Sequence, residues 1–242
     1  MNERSKQIRR DTITLSKANG GYHYGGCFSI VEILISLFDY TMKPKDKFIL
    51  SKGHACWPYY VILREQGYNP KLSGHPSRDE TNHVYCTTGS EGHGLPVGIG
   101  IAMAKKQKNQ EGKVFVLMGD GECQEGTTWE SLLIASKHRL DNLVVIIDKN
   151  KIQGSDFVNN ILPLDSLGDI VTLLGWYYIR VDGHNIDEIN AALSTIVIKQ
   201  PIFIIADTVK GKGVSFMENK PEWHACWLAG EKEALALEEL KV

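Results

Sequence analysis

A chain of 242 residues with 43% apolar and 23% charged side chains can bury a substantial core, and that composition excludes a disordered chain. Twenty-seven Lys and Arg against 29 Asp and Glu leave a formal net charge of −2, so no bulk attraction draws the chain to nucleic acid or an anionic membrane, although a local basic pocket for one phosphate group is compatible with it. No apolar run reaches the length of about eighteen residues that a membrane span needs, and MNERSKQIRR has no hydrophobic stretch behind it. Cys27, Cys56, Cys86, Cys123 and Cys226 contain no C-x-x-C pair, so the expectation is a cytoplasmic protein with reduced thiols, no disulfides and no zinc site.

Along the chain, mixed polar and apolar residues at helical spacing predict a helix from Ser5 to Ala18, ended by Asn19-Gly20-Gly21. Ser29 and Glu32 have capping-box spacing and open a second helix over Ile30–Tyr40, with Ile30, Ile33, Leu34, Leu37 and Phe38 on one face. A short strand at Lys47–Leu50 precedes a helix at His54–Gln66. A long loop region, Gly67–Gly94, carries His75, His83 and His93, and loops of this length in a compact domain are usually functional or flexible.

The alternation then becomes regular. Helices are expected at Leu95–Lys108, Thr127–His138, Asp165–Leu174 and Ile186–Lys199, and strands at Lys113–Met118, Leu143–Asp148, Tyr177–Val181 and Ile202–Ala206. Glu231–Leu240 reads as a helix or a solvated tail. The runs Val114–Met118, Leu143–Ile147 and Ile202–Ile205 are apolar on both faces, as strands between two helix layers must be. The expected fold class is therefore α/β, a three-layer, mostly parallel sheet with helices on both faces, and residues 1–242 form a single domain, since no Pro/Gly/Ser linker or repeat divides them.

Ligands of such sheets sit outside the carboxyl ends of the strands. Gly119-Asp120-Gly121-Glu122 follows one strand directly: bare backbone amides can approach an anion there, and Asp120 offers a hard oxygen to a cation. Asp148-Lys149-Asn150 follows the next strand thirty residues later. If the two strands are neighbours, Asp120, Asn150 and a backbone carbonyl, completed by diphosphate oxygens and water, make an octahedral Mg²⁺ site. Gly-Asp-Gly alone is as easily a tight turn; the paired Asn at this spacing makes the pattern specific.

With these residues the chain resembles the thiamine-diphosphate enzymes, and most closely the N-terminal subunit of a split transketolase. The matching stretches are His23-Tyr-Gly-Gly26 with Ser29, Ser51-Lys-Gly-His54, Gly74-His-Pro76, Thr88-Gly-Ser-Glu-Gly-His-Gly94, Gly119-Asp-Gly-Glu122 through Gly126, Asp148-Lys-Asn150 with Ile152-Gln153, and Val209–Met217 with Glu222-Trp-His224. The resemblance implies transfer of a two-carbon ketol unit from a ketose phosphate to an aldose, with thiamine diphosphate and Mg²⁺ (or Ca²⁺ or Mn²⁺) as cofactors. Asp120, Asn150 and the carbonyl of Ile152 are the implied metal ligands. His54, Gly89, Glu91, His93, Gly119, Asp120, Gly121, Glu122, Asn150 and His224 are the implied cofactor-binding residues.

His75 is implied to meet the donor's terminal hydroxyl, and His23 the hydroxyl that loses its proton when the carbon–carbon bond breaks. His224 is implied near the diphosphate as a further catalytic imidazole, and Glu125 at a buried contact between subunits, although the helix dipole alone also favours an acid at that position. His83 and His138 read as structural or solvated, and His184 as part of a helix start. Lys210 and Lys212 read either as a mobile basic loop or as a loop closing over the cofactor.

The carboxylate that activates the cofactor is expected on a separate pyrimidine-domain chain, a C-terminal transketolase subunit, in an α2β2 heterotetramer. Other readings are the corresponding chain of a different thiamine-diphosphate lyase or acyloin synthase, and a non-catalytic cofactor-binding paralogue. The chain departs from the family pattern at Tyr24 for Pro, Glu91 for Leu, His93 for Gln, and Ala225-Cys226-Trp227 for Gly-Lys-Ala.

Overall fold

Strands with no polar side chain on either face have to be covered on both, and they form the centre of the molecule. The computed structural model describes residues 1–154 and 156–241. It begins with α1 (Glu3–Ala18), α2 (Tyr24–Ser29), α3 (Val31–Ile35), a π-helical turn (Ser36–Thr41), β1 (Lys47–Leu50), α4 (Trp57–Glu65), α5 (Gly94–Gln107), β2 (Val114–Gly119) and α6 (Gly126–Lys137). There follow β3 (Leu143–Lys149), β4 (Ile152–Gln153), β5 (Asp156–Phe157), α7 (Val158–Ile161), α8 (Leu167–Leu173), β6 (Tyr177–Asp182), α9 (Ile186–Leu193), β7 (Ile202–Asp207) and α10 (Glu231–Glu239).

Five strands pair in the order β1-β2-β3-β7-β6, all parallel. Their side chains alternate between two cores. Phe48, Phe115, Leu117, Val144, Ile146, Ile202 and Ile204 join Ile8, Phe28, Leu34, Tyr60 and Ile189 on one face. Ile49, Val116, Met118, Val145, Ile147 and Phe203 join Leu95, Leu132 and Val171 on the other. The three-layer arrangement is therefore as expected. The chain adds β1, β2 and β3 in one direction, then crosses to the far edge at β6 and returns as β7, so strand order reverses between β3 and β7. That reversal opens a crevice at the carboxyl ends of the strands, where ligands of such sheets bind.

Two helix boundaries differ from expectation. The helix expected over Ile30–Tyr40 is present as α3 continued by the π-helical turn, but it is preceded by α2, and the Ser29/Glu32 capping box does not form. Both side chains are engaged elsewhere: Ser29 Oγ reaches Gly26 O (3.0 Å) and Asp148 (2.7 Å), and Glu32 takes the Arg9 guanidinium. Helix α9 stops at Leu193 instead of Lys199. The run Thr195-Ile196-Val197-Ile198 is β-branched throughout and a poor helix former, and Lys199 adopts a left-handed φ of 65°. The short β4–β5 hairpin was not expected, and all five cysteines are free, as the sequence implied.

Arg9 and Glu32 are the most buried ion pair between helices, with side chains 0% and 3% exposed. Two parallel bonds of 2.8 and 2.9 Å join them, and Arg9 also donates to the carbonyls of Ser5 and Phe28. Burial works against the charge of Glu32, but Arg9 and His184 outweigh it and hold the carboxylate well below its ordinary range. A desolvated pair this complete contributes little over an apolar one, yet removing one partner leaves the other charge stranded. Arg9→Leu should cost about 3–5 kcal/mol in urea unfolding, and Arg9→Leu/Glu32→Gln, which removes the stranded charge but keeps an acceptor for His184, should recover part of that loss.

Candidate active site

The site is assembled at the carboxyl ends of β2, β3 and β7. Parallel register sets Gly119 beside Asp148 and Asp148 beside Ala206, which brings the Gly119-Asp120-Gly121 turn next to Asn150 as the spacing predicted. Asp120 and Asn150 are both buried, at 4% and 3% exposure. Asp120 Oδ2 accepts from the Lys151 N–H at 2.6 Å, and Asn150 Oδ1 from the Ile152 N–H at 3.1 Å. Burial, reinforced by the charge of Asp148, pushes the Asp120 carboxyl up to about 6.

Asp148 itself is fully buried and accepts hydrogen bonds from Ser29 (2.7 Å), Asn150 Nδ2 (2.8 Å), Thr208 and Lys52. Its burial favours the neutral form, but the Lys52 charge and these hydrogen bonds prevail and hold it below the usual carboxylate range. Lys210, 1% exposed, donates to the Ile152 carbonyl and lies 2.9 Å from His224 Nδ1. Burial, aided by the charge of Lys52, lowers its pKa to about 8. Lys210 is thus placed in the interior instead of on an exposed loop.

Four of the predicted histidines converge. The His23 ring centroid lies 5.5 Å from that of His54, 5.6 Å from His224 and 6.3 Å from His75, and His54 lies 5.2 Å from His224. Their close approach depends on Gly25, where a Cβ would fall 2.6 Å from the Trp223 carbonyl. Burial, then the charges of His75 and Lys210, lowers His23 to about 4. Burial, then the charge of Lys210, lowers His224 to about 3. His54 is likewise held well below 6.5, by burial and then Lys52.

Other predicted residues stand differently. Glu122, expected among the cofactor contacts, spends both oxygens on the protein, accepting from Ser51 Oγ (2.5 Å), the Gly92 N–H (2.9 Å) and the Gly119 N–H (2.7 Å). It positions the loops instead of facing the cleft. Gly92 has φ 76°, and a Cβ there would meet Glu125 Cβ at 2.9 Å, so only glycine fits. Gly89 lies against the His75 ring, where a Cβ would fall 3.2 Å from Cδ2. Glu91 and His93 are exposed on this loop, with His93 Nδ1 bonded locally to Ser90 and the Glu91 carbonyl. Glu125 is exposed at the start of α6 with no side-chain cap bond.

His184 is structural, as expected. Its Nε2 accepts from the Val209 N–H, so Nδ1 carries the proton and donates to Glu32. The helix cap itself is Asn185, whose side chain accepts from the Asp187 and Glu188 N–H groups.

These residues fit a diphosphate with a divalent cation. The buried Lys210 ammonium, beside a group of imidazoles that can each present an N–H, suits an anion. Among the described residues no three His, Cys, Asp or Glu side chains gather to hold a metal unaided. One carboxylate, one amide and one carbonyl therefore make a partial oxygen set that an anionic ligand completes, and a cation taking the Ile152 carbonyl displaces the Lys210 ammonium now bonded to it. Gln153 Oε1 and Thr88 Oγ1, beside Gly121 and Gly53, are buried without a hydrogen-bond partner.

Because the imidazole pKa values fall below the ordinary 6.5, the neutral forms persist above them. In the cofactor-free chain the ring C–H resonances of His23, His54 and His224 should not move between pH 8 and about 5. A shift of all three within that range in an NMR titration would contradict this electrostatic picture.

Residues 4–240 match the family model described as transketolase, thiamine diphosphate binding domain. The chain is 39% identical to one of the subunits of the apulose-4-phosphate transketolase of Actinobacillus succinogenes, covering 100% of this chain and 96% of that one. It is 34% identical to SqwG, a subunit of the 6-deoxy-6-sulfo-D-fructose transketolase of a Clostridium species, covering 97% and 94%. The Campylobacter jejuni transketolase structure superposes with a TM-score of 0.83 at 26% identity, over 99% of this chain but 43% of that one. Thus the chain matches proteins named as transketolase subunits over nearly their whole length and less than half of the C. jejuni enzyme. No helix among the described residues is long and apolar enough to cross a membrane. By this match and these identities the chain belongs to the transketolase thiamine diphosphate binding domain family.

Proposed function

We propose that this chain is the diphosphate-binding subunit of a two-chain cytoplasmic transketolase, which moves a two-carbon ketol unit from a ketose phosphate to an aldose. The observation that carries the reading is the convergence of His23, His54, His75 and His224 beside the Asp120–Asn150 pair. An oxo-acid decarboxylase has less need of several imidazoles for sugar hydroxyls, and a non-catalytic paralogue has no need to keep the buried Asp120 and Asn150. The A. succinogenes relative, named for apulose 4-phosphate, and the Clostridium relative, named for 6-deoxy-6-sulfo-D-fructose, both act on anionic sugars by name; a sugar phosphate is the substrate class proposed here.

In this reading Asp120, Asn150 and the Ile152 carbonyl hold the divalent cation, and the Gly119 and Gly121 backbone lies against the diphosphate. His54, His224 and Lys210 donate to the diphosphate, while Gly89, Glu91 and His93 belong to the loop beside the cofactor ring. Thiamine diphosphate supplies, when bound, the carbanion chemistry that breaks and remakes the carbon–carbon bond. His75 holds the donor's terminal hydroxyl. His23 accepts the proton of the hydroxyl at the breaking bond, and an anion placed among the lysines raises its proton affinity toward the range a base needs.

The whole chain is one diphosphate-binding domain. The pyrimidine domain, with the carboxylate that activates the cofactor, lies on a second chain, and Glu125 faces that partner in an α2β2 assembly. Both relatives above are named as subunits, which supports a separate partner.

The deciding experiment is turnover of xylulose 5-phosphate and ribose 5-phosphate with thiamine diphosphate and Mg²⁺. The purified chain alone should be inactive, and activity should appear when it is co-expressed with its pyrimidine-domain partner; sustained turnover by the chain alone would overturn the split-enzyme reading. In the active complex the histidines should separate by role. His75→Ala should raise the donor KM about tenfold with little change in kcat, because its hydroxyl contact is present in both ground and transition states. His23→Ala should instead lower kcat about 100-fold or more, as loss of a positioned proton acceptor does. The reverse pattern in steady-state kinetics would exchange the two assignments.

A further inference from the structure

Beyond the imidazoles the wall of the site continues outward as aromatic surface. The Tyr22 ring centroid lies 4.3 Å from that of His23, and the Trp227 ring lies 5.3 Å beyond Tyr22, tilted 39° to it. The pair is held by backbone, since the Cys226 N–H donates to the Tyr22 carbonyl at 2.9 Å and ties the segment before α2 to the segment after His224. Trp227 is nevertheless 64% exposed and Tyr22 37%, whereas Trp57, Trp176 and Trp223 are all 2% or less. A large aromatic ring fixed from behind and open in front is a binding surface more often than a packing residue.

Charge limits what can bind there. Among the described residues no Lys or Arg stands over either ring, the cation–π contacts being made by Phe28, Tyr85 and Trp223. Ala225 and Cys226 bring no charge to this strip, where the family pattern has a lysine. The strip therefore has nothing to hold a phosphate group. It offers a flat apolar face directly beside His23, the imidazole assigned to the reacting hydroxyl.

We infer that Tyr22 and Trp227 form a stacking wall for the carbon skeleton of the sugar, selecting substrates by the C–H face they present to it. The inference rests on the placement of His23 proposed above. A sugar carbon next to the reacting hydroxyl that turns C–H toward the rings buries apolar area against a preorganised surface. One that turns a hydroxyl toward them loses water without gaining a hydrogen bond. Specificity at this end of the site then follows the configuration of the carbon chain and not its charge. Contact with the partner chain is the rival use of these rings; the direct contact between Tyr22 and His23 favours substrate, because whatever covers the rings lies alongside the reacting hydroxyl.

The test uses the chain assembled with its pyrimidine-domain partner, with fructose 6-phosphate and xylulose 5-phosphate as donors. Trp227→Ala should raise the donor KM about five- to tenfold, with kcat, cofactor affinity and affinity for the partner chain within about twofold of wild type, and Trp227→Phe should restore most of the loss. Fructose 6-phosphate should also quench tryptophan fluorescence in the wild-type complex and not in Trp227→Phe, a readout independent of turnover. Unchanged KM with weakened association of the two chains would assign the wall to the partner and overturn the proposal, as would absence of quenching in the wild type. If the wild-type complex turns over no ketose phosphate, the functional reading fails while the fluorescence titration still decides the wall.

Discussion

The carboxylate of Asp148 is the point from which the site is built. It sits at the carboxyl end of β3, between β2 and β7, where strand order reverses, and it is fully buried. Ser29 from α2, Lys52 from the turn after β1, Asn150 from the turn after β3 and Thr208 from the turn after β7 all donate to it. A buried carboxylate with fewer donors would be costly, so each segment is held where its donor must be. Those same segments carry His23, His54, Asn150 and Lys210. The chemistry of the site is therefore positioned by a residue that need not touch a ligand.

A second consequence is electrostatic. Asp148 is the counter-ion of Lys52, which leaves Lys210 with only a carbonyl and an imidazole as close partners. Burial first, and then the charges of the neighbouring lysines and imidazoles, disfavours the protonated forms of His23, His54 and His224. An anion placed beside Lys210 would favour protonation of the imidazoles around it, the relation expected when binding and protonation are linked.

Much of this architecture was legible in the sequence. The both-face apolar runs located β2, β3 and β7 to within a residue or two, because a strand covered by two helix layers has no other composition. The Gly-Asp-Gly turn and Asn150 fell together because neighbouring parallel strands leave their ends side by side. What could not be read was competition for side chains. Ser29 and Glu32 have the spacing of a capping box, but a partner 119 residues away in the chain takes the serine and Arg9 takes the glutamate. The family resemblance implied that Glu122 binds the cofactor, yet its oxygens accept from the Gly92 and Gly119 amides. Lys210 was open to two readings, a mobile basic loop or one closing over the cofactor, and in the folded chain its ammonium bonds the Ile152 carbonyl in the interior.

The departures from the family pattern at Tyr24, Glu91 and Trp227 separate by depth. Tyr24 is 2% exposed, its hydroxyl accepts from Ser16 Oγ, and its ring packs edge-on against Phe28. It is a core exchange that fastens α1 to α2 and leaves the cleft untouched. Glu91 and Trp227 are exposed, one on the loop beside His75 and the other beyond Tyr22. The buried end, with Asp120, Asn150, Asp148 and the two lysines, holds residues bound to one another by hydrogen bonds and ion pairs. Evolutionary change in a transferase of this kind is least costly where a side chain meets substrate and little else, since a buried carboxylate or lysine cannot change without stranding its partners. The buried end is thus fixed by its own hydrogen bonds, and the exposed positions are where a side chain can change without stranding a partner.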